Sequence, residues 1–396
     1  MIRRRFFCTL LVCSLVLAAL GLPRAAQATQ TAREPISVLV SDAKDLQLLA
    51  FWVALGGGYF AREGLDVRVV ATDVPTPAAL VSGVKAGAPV AILPGSAYER
   101  LIADRYPVLL VANLLQNDPL DIVLRHDAAN NFEVNSGLTL QRRLALLRGA
   151  KLGVTVGDRA RLYQLFRAEG LDANLATIVI RKGNELLAEF AANTLDAIYA
   201  PPLLTVRALV ERDGILYADP AGGEVPAFGE RLVEALAVSS DFARTRGGEV
   251  EALVRAIGRA EHTLHFEPNA AIEALGRALP DLGPKVTAKV VATYARAVPA
   301  TPHLEAGQIR REAKFYPVGD DKLDLTGVDL ESAVFNGKDY LARSRAGTSG
   351  GAAGSRRAGS RMLVVLLGAL ALALAFLVVV FDQRESRRAG DSDGTT

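Results

Sequence analysis

Along residues 33–343 the apolar positions alternate between two spacings. Short β-branched runs at 36–40, 65–71, 90–93 and 107–113 predict strands. Between them, 46–55, 77–86 and 96–104 place apolar residues three and four apart, as helices do. The rhythm restarts after Asp121, with strands expected at 150–156, 176–181 and 197–200 and helices at 159–169 and 185–193. From Arg231 the pattern changes to a short strand at 236–239 and long helical stretches at 249–266, 269–278 and 285–297. Strand–helix alternation argues for helices packed on a mostly parallel sheet, so the chain reads as two successive α/β lobes followed by helices. Open α/β sheets bind ligands at the carboxyl ends of their strands, and domain interfaces favour clefts. The site is therefore expected between the lobes.

The two ends differ from this body. Arg3, Arg4 and Arg5 precede an apolar run over 6–22, and Ala26-Gln27-Ala28 offers a small-x-small cleavage site before Thr29. This is the pattern of a secretory signal peptide over 1–28, with an uncleaved N-terminal anchor as the alternative. A lipoprotein signal is disfavoured, because Cys13 follows Val12 inside the apolar run. The 20 residues from Met362 to Phe381 carry no charge and no proline. At about 1.5 Å per residue they match a ~30 Å hydrocarbon core, which predicts one C-terminal transmembrane helix. Arg356, Arg357 and Arg361 before it balance Arg384, Arg387 and Arg388 after it, so flanking charge sets no orientation. The export signal does: the body lies outside and residues 382–396 form a short cytoplasmic tail. Residues 344–360 are rich in Gly, Ser, Ala and Arg and read as a flexible tether.

Composition removes several function classes. Half of the 396 residues are apolar, ample for a core and incompatible with a disordered chain. The balance of 45 basic and 43 acidic residues lacks the basic excess of a nucleic-acid surface, so no nucleic-acid partner is expected. The only cysteines, Cys8 and Cys13, lie in the signal, which excludes thiol catalysis and zinc–thiolate or iron–sulfur sites from the mature chain. Among His126, His262, His265 and His303, only His262 and His265 have metal-clip spacing, beside Glu261 and Glu267. Two polar positions on a helix surface explain that pair more simply. Neither a G-x-S-x-G elbow, a P-loop nor a Rossmann fingerprint occurs, and no strand leads into Gly56-Gly57-Gly58. No enzyme activity, cofactor or metal is expected.

An ordered set of segments nevertheless carries a resemblance. Gly58-Tyr59-Phe60-Ala61-Arg62-Glu63-Gly64-Leu65-Asp66-Val67 is similar to a GYFxxEGLxV segment. Leu147-Arg148-Gly149-Ala150-Lys151-Leu152-Gly153-Val154 is similar to an LKGKKIGV stretch that opens a second lobe. Ala168-Glu169-Gly170-Leu171-Asp172, the run from Leu195 to Pro202 and the run from Leu236 to Phe242 follow in the same order, and 80–93 matches loosely. The chain thus resembles the periplasmic solute-binding proteins of ABC importers, in the group for nitrate, sulfonates, taurine and thiamine-type pyrimidine precursors. The resemblance implies an α/β, two-lobed periplasmic-binding-protein type II fold, with lobe 1 at 34–120 and 232–343 and lobe 2 at 121–231. It also implies a small-molecule ligand and ABC permease and ATPase subunits as partners. Fold-related enzymes exist, but pyrimidine-precursor synthases carry a Cys-rich motif absent here, and a menaquinone-pathway relative is cytoplasmic. A binding-fold accessory or sensor subunit is the alternative, since a C-terminal span is unusual for the group. The glycines and aromatics of the first segment read as fold maintenance, Gly58 and Gly64 suiting a helix end and a tight turn.

The architecture puts candidate ligand contacts after strands and at helix starts. In the first lobe these are Ser41, Asp42, Asp45, Thr72, Asp73, Gly95 and Ser96 after Pro94, and Asn113, Gln116 and Asn117 near the crossover. In the second they are Thr155, Gly157, Asp158, Arg159 and Arg161, then Pro201 and Pro202. Helix amino ends suit an anion, and Arg159 offers a bidentate fork. Ordinary roles compete at each position: Asp158 as an N-cap, Ser41 and Asp42 as loop residues, the arginines as solvated charges. Two departures from the group's pattern bear on ligand charge. Gly87-Ala88-Pro89 stands where an acidic residue is usual, and Gly157-Asp158-Arg159 where a Ser or Thr opens the helix. An acidic Asp158 disfavours an anion unless Arg159 offsets it.

Overall fold

Two five-stranded sheets are built on the same plan. The first takes β1 (Ile36–Val40), β2 (Val67–Ala71), β3 (Val90–Pro94) and β4 (Val108–Leu115); the second takes β5 (Asp121–Leu124), β6 (Lys151–Val154), β7 (Thr177–Ile180), β8 (Ala197–Ala200) and β9 (Ile215–Ala218). The last strand, β10 (Glu234–Ser239), returns to the first sheet. The orders are β2-β1-β3-β10-β4 and β7-β6-β8-β5-β9. In each sheet one strand runs against the others: β10 pairs antiparallel with β3 and β4, and β5 pairs antiparallel with β8 and β9. Both are the first strand after the chain crosses between sheets. Their amino ends therefore share an edge with the carboxyl ends of the parallel strands, Glu234 opposite Pro94 and Asp121 opposite Ala200. The expected strands are all present, and β5 and β9 add to them.

The computed structural model describes residues 34–132, 134, 137–315, 323 and 325–335, and these belong to one compact unit ending at Phe335. The expected signal at 1–28, tether at 344–360, span at 362–381 and tail at 382–396 lie outside the described residues. Among the described residues no helix is long and apolar enough to cross a membrane.

Helices cover the sheets: α1 (Leu49–Gly56), α2 (Tyr59–Arg62), α3 (Pro77–Lys85) and α4 (Gly95–Ala103) around the first, then α5 (Leu140–Leu146), α6 (Arg159–Ala168), α7 (Gly183–Ala191) and α8 (Pro202–Glu211) around the second. Gly58 and Gly64 both adopt positive φ, +69° and +75°, as the tight turns around α2 require. After β10 come α9 (Ser240–Thr245), α10 (Gly247–Phe266), α11 (Pro268–Ala278), α12 (Pro284–Tyr294) and α13 (Ala306–Phe315). Gly56 lets α1 approach α11, because any Cβ there would stand 2.0 Å from the Ala274 carbonyl oxygen. Packing α12 against α8 carries the C-terminal helices over to the second sheet. The chain then returns beside the crossover, where Ala297 O accepts from Gln116 N and Pro302 O from Asn113 N.

Helix α13 spans the two halves. Ala306 and Ile309 enter the first sheet's core, while Phe315 packs on the second sheet's core. Phe315 meets Phe228 edge-on at 4.6 Å, and its carbonyl accepts from Gln164 Nε2 of α6 at 2.7 Å. Beyond it, Leu330 and Ala333 return to the first core, and Phe335 N bonds Leu110 O along the open side of β4.

Among the buried acids of the described residues, one has no charged or hydrogen-bonding group acting on it. Glu261 on α10 is fully buried, and neither carboxyl oxygen has a hydrogen-bond partner. Burial pushes its pKa up to about 10 from the ordinary 4.5, so the folded chain keeps a proton that the unfolded chain releases. Stability is then full below the unfolded value and falls as pH rises toward 10, at up to about 1.4 kcal/mol per pH unit. Glu261→Gln should remove that slope: urea unfolding from pH 5 to pH 9 should show the variant gaining on the parent as pH rises. Parallel curves would show that the carboxyl is not buried in this way.

Candidate functional site

The two crossovers bring charge to the facing sheet edges. Asp118, on the segment from β4 to β5, is fully buried and accepts from Leu120 N through Oδ1. Its other oxygen, Oδ2, lies 2.8 Å from Arg161 Nη2 and 3.1 Å from Arg231 Nη2. Arg161 comes from the first turn of α6, and Arg231, 1% exposed, from the segment between β9 and β10. Arg231 also donates through Nε to Phe228 O, rests 3.5 Å above the Phe315 ring and places Nη1 3.0 Å from Glu312 Oε2. A planar guanidinium can do this, pairing with two carboxylates while an aromatic ring covers its face. The result is a buried ionic chain, Arg161–Asp118–Arg231–Glu312, running from α6 through both crossovers to α13.

Further acids border this chain. Glu312 packs against Gly95 at the start of α4, where any Cβ would stand 2.6 Å from Glu312 Cγ and 2.7 Å from its Oε1. Burial raises the Glu312 carboxyl to about 7 despite the opposing pull of Arg231 and Arg161. Glu99, one turn further along α4, is raised to about 8 by burial and by the Glu312 charge. Glu234 at the head of β10 is held well above the carboxylate range by burial and then by Asp45, with Arg161 acting against them. Asp45 itself rises to about 6 through burial, although Gln47 N and the Ser41 hydroxyl donate to it. Asp158 is raised by burial, partly offset by the Thr155 hydroxyl at 2.6 Å and by Arg161. The Tyr199 hydroxyl is buried and raised.

The sequence candidates divide by placement. Asp45 caps the short turn at Leu46–Leu48 and sits with Ser41, Glu234 and Arg161 at the edge of the first sheet. Gly95 and Ser96 begin α4, with Gly95 against Glu312. Thr155 and Asp158 face the cluster from the second sheet, with Gly157 exposed between them. The others do different work. Asp42 caps the Lys44 amide in an exposed turn, Thr72 donates to Ser41 O, and Asp73 is exposed. Asn113 is buried, bonding Arg231 O and Leu115 N, and Asn117 bonds Ala221 O and Arg296 O, so both fasten the crossovers. Gln116 contributes backbone bonds, and Pro201 precedes α8 as its cap residue. Arg159 is exposed, 6.0 Å over the Tyr163 ring; its neighbour but one, Arg161, is the arginine that reaches inward. Asp158 makes no cap bond to α6 and bonds Thr155 instead.

Asp118, Arg231, Glu234 and Glu312 escaped the sequence reading. A signal existed for Glu312: it shares the stripe Ala306, Ile309, Glu312, Phe315, where an acid has no apolar reason to be. Among the described residues no cluster of His, Cys, Asp or Glu suits a metal ion. His262 lies 3.4 Å from Glu267, and His265 bonds Val298 O.

A family model described as NMT1/THI5 like matches residues 46–271, more than half of the chain. The chain belongs to the NMT1/THI5-like family. Among solved structures it is similar to the alkanesulfonate-binding protein SsuA from Xanthomonas axonopodis pv. citri, bound to MOPS (17% identity, 77% of this chain and 99% of that one, TM-score 0.51). It is also similar to the periplasmic aliphatic sulphonate binding protein SsuA from Escherichia coli (14%, 76% and 93%, TM-score 0.53). A mutant of DSZB in complex with biphenyl-2-sulfinic acid is a third (14%, 79% and 99%, TM-score 0.52). At these identities the likeness is one of fold, and it agrees with the family resemblance read in the sequence. A comparison with curated proteins finds no match.

Breaking the ionic chain at its centre should be costly, because Asp118 and Glu312 would lose their shared cation in the interior. Arg231→Met should destabilise the protein by about 3–5 kcal/mol in equilibrium urea unfolding. Glu312→Gln in the same background should recover part of that loss, since Asp118 keeps Arg161 while Glu312 has no other ion pair, and strict additivity would mean the pair is not coupled.

Proposed function

We propose that the protein is an extracytoplasmic solute receptor of an ABC importer, tethered to the membrane at its C-terminus. In this reading a small organic solute is captured between lobe 1 (34–120 and 232–343) and lobe 2 (121–231). The observation that carries the reading is the pair of facing sheet edges, lined by buried charged groups from both halves and joined by two crossovers, in a chain of this family. Ser41, Asp45, Gly95, Ser96, Thr155, Gly157, Asp158 and Arg161 would line the cleft, with Glu234 added from the structure. Closure is a hinge motion about the crossovers, and ligand favours it by touching both lobes. The closed form then docks on the permease and its ATPase. No cofactor and no catalytic step enter this reading, which keeps the chain apart from fold-related enzymes.

The apolar run from Met362 to Phe381 supports a membrane tether, and residues 344–360 supply its reach. Such a tether keeps a receptor concentrated near its permease. The same run favours a second reading, a sensor or accessory subunit that reports occupancy to a membrane partner.

The test is thermal unfolding of the full chain in non-ionic detergent against a broad solute panel. A ligand at 100 times its Kd should add about 2.7 kcal/mol to stability, enough for a Tm rise of several degrees. A response to one chemical class supports the receptor, and no response from a well-folded protein argues against it. Transport assays with and without the cognate permease then separate import from sensing. Independently, truncation after residue 343 should move the exported protein from the membrane fraction to the soluble one. Retention of the truncated chain on membranes would overturn the tether.

A further inference from the structure

The inference drawn here rests on the solute-receptor reading and names the ligand class of that same cleft. We propose that Glu312 is a built-in occupant of the place where an anionic head group would bind at the amino end of α4. The cleft then refuses alkanesulfonates and carboxylates there and selects solutes that offer an ammonium or N–H donor.

The amino end of α4 has the makings of an anion site. The helix has nine residues, and Pro94 before it supplies no side-chain cap. Beyond Gly95, whose N–H already bonds Val233 O, free amides and the helix dipole together attract negative charge. Here the charge comes from the chain itself. Glu312 reaches over from α13 and fills the space left by the missing side chain of Gly95. It is fully buried, and neither oxygen has a hydrogen-bond partner, so its one strong contact is the ion pair to Arg231.

The remaining charges point the same way. The two arginines facing the cluster are already matched, Arg161 by Asp118 and Arg231 by Asp118 and Glu312. The groups left over are acids. Glu99 Oε1 has no partner, and Glu234, 5% exposed, meets Asp45 and Glu312 as like charges. A second anion placed here would share the site with the carboxyls of Glu312, Glu99, Glu234 and Asp45 and find no free cation among these groups. An ammonium or amino-heterocycle N–H would instead offer a donor to Glu312, whose oxygens have none, and to Glu234. Burying such a donor against an acid is favourable where burying another anion is not.

The decisive comparison uses three probes of one chain length: propylammonium, propane-1-sulfonate and 3-aminopropane-1-sulfonate. Each is titrated against the full chain in non-ionic detergent, with calorimetry and Tm as readouts. The parent should give no response to propane-1-sulfonate. Glu312→Ala, which empties the space and removes the charge, should gain affinity for both sulfonates by about tenfold or more, and Glu312→Gln, which removes the charge but keeps the space filled, should gain less. Glu312→Asp, which keeps the charge on a shorter arm, should stay closer to the parent. Two results would overturn the proposal: sulfonate binding by the parent as tight as by Glu312→Ala, or no sulfonate gain in a folded Glu312→Ala. The receptor reading is judged separately, by whether any solute of the broad panel stabilises the parent.

Discussion

The Arg231 guanidinium gathers the segments that cross between the two sheets. It holds Asp118 of one crossover, the Phe228 carbonyl of the other and Glu312 of α13, and it lies on the ring of Phe315. A lysine could supply the charge but neither the flat face nor the fork. Breaking such a pair leaves charge stranded in a poor solvent for it, although its formation from water gains little. The network therefore acts as a specification. It fixes which segments meet at the crossovers and leaves bulk stability to the apolar cores on the sheet faces.

The duplicated sheet plan explains why the charges gather where they do. A strand that arrives by a crossover and runs against its neighbours brings its first residue to the edge where the parallel strands end. Asp121 and Glu234 occupy that position in the two sheets. Asp121 is satisfied by the Tyr294 hydroxyl at 2.7 Å and the Ala221 amide, and so ties the C-terminal helices to the hinge. Glu234 has no such support. Equivalent positions in the two halves thus serve different ends, one structural and one open to use.

Much of the fold was legible because periodicity reports which face of a segment is buried. Long amphipathic stretches such as 249–266 and β-branched runs such as 36–40 declare themselves. Strands β5 and β9 did not, although β6, β7 and β8 are no longer than they are, and α13 was obscured by its run of Arg310, Arg311, Glu312 and Lys314. The site was less legible than the fold. Loop rules located Asp45, Gly95, Thr155 and Asp158 near the facing edges, since those positions follow from strand ends alone. Choosing Arg161 over Arg159 needs the phase of α6, and finding Arg231 and Glu312 needs tertiary proximity that no local pattern encodes.

The close approach of Gly95 and Glu312 has a consequence for how this chain can vary. The two positions lie far apart in sequence yet share one volume, since the missing Cβ of the first is the space of the second. A lineage that shortened Glu312 would be released from glycine at 95 and could place a hydroxyl there. One that kept Glu312 could not. Among related chains the two positions should therefore drift as a unit, and the residue found at 95 should foretell the residue found at 312.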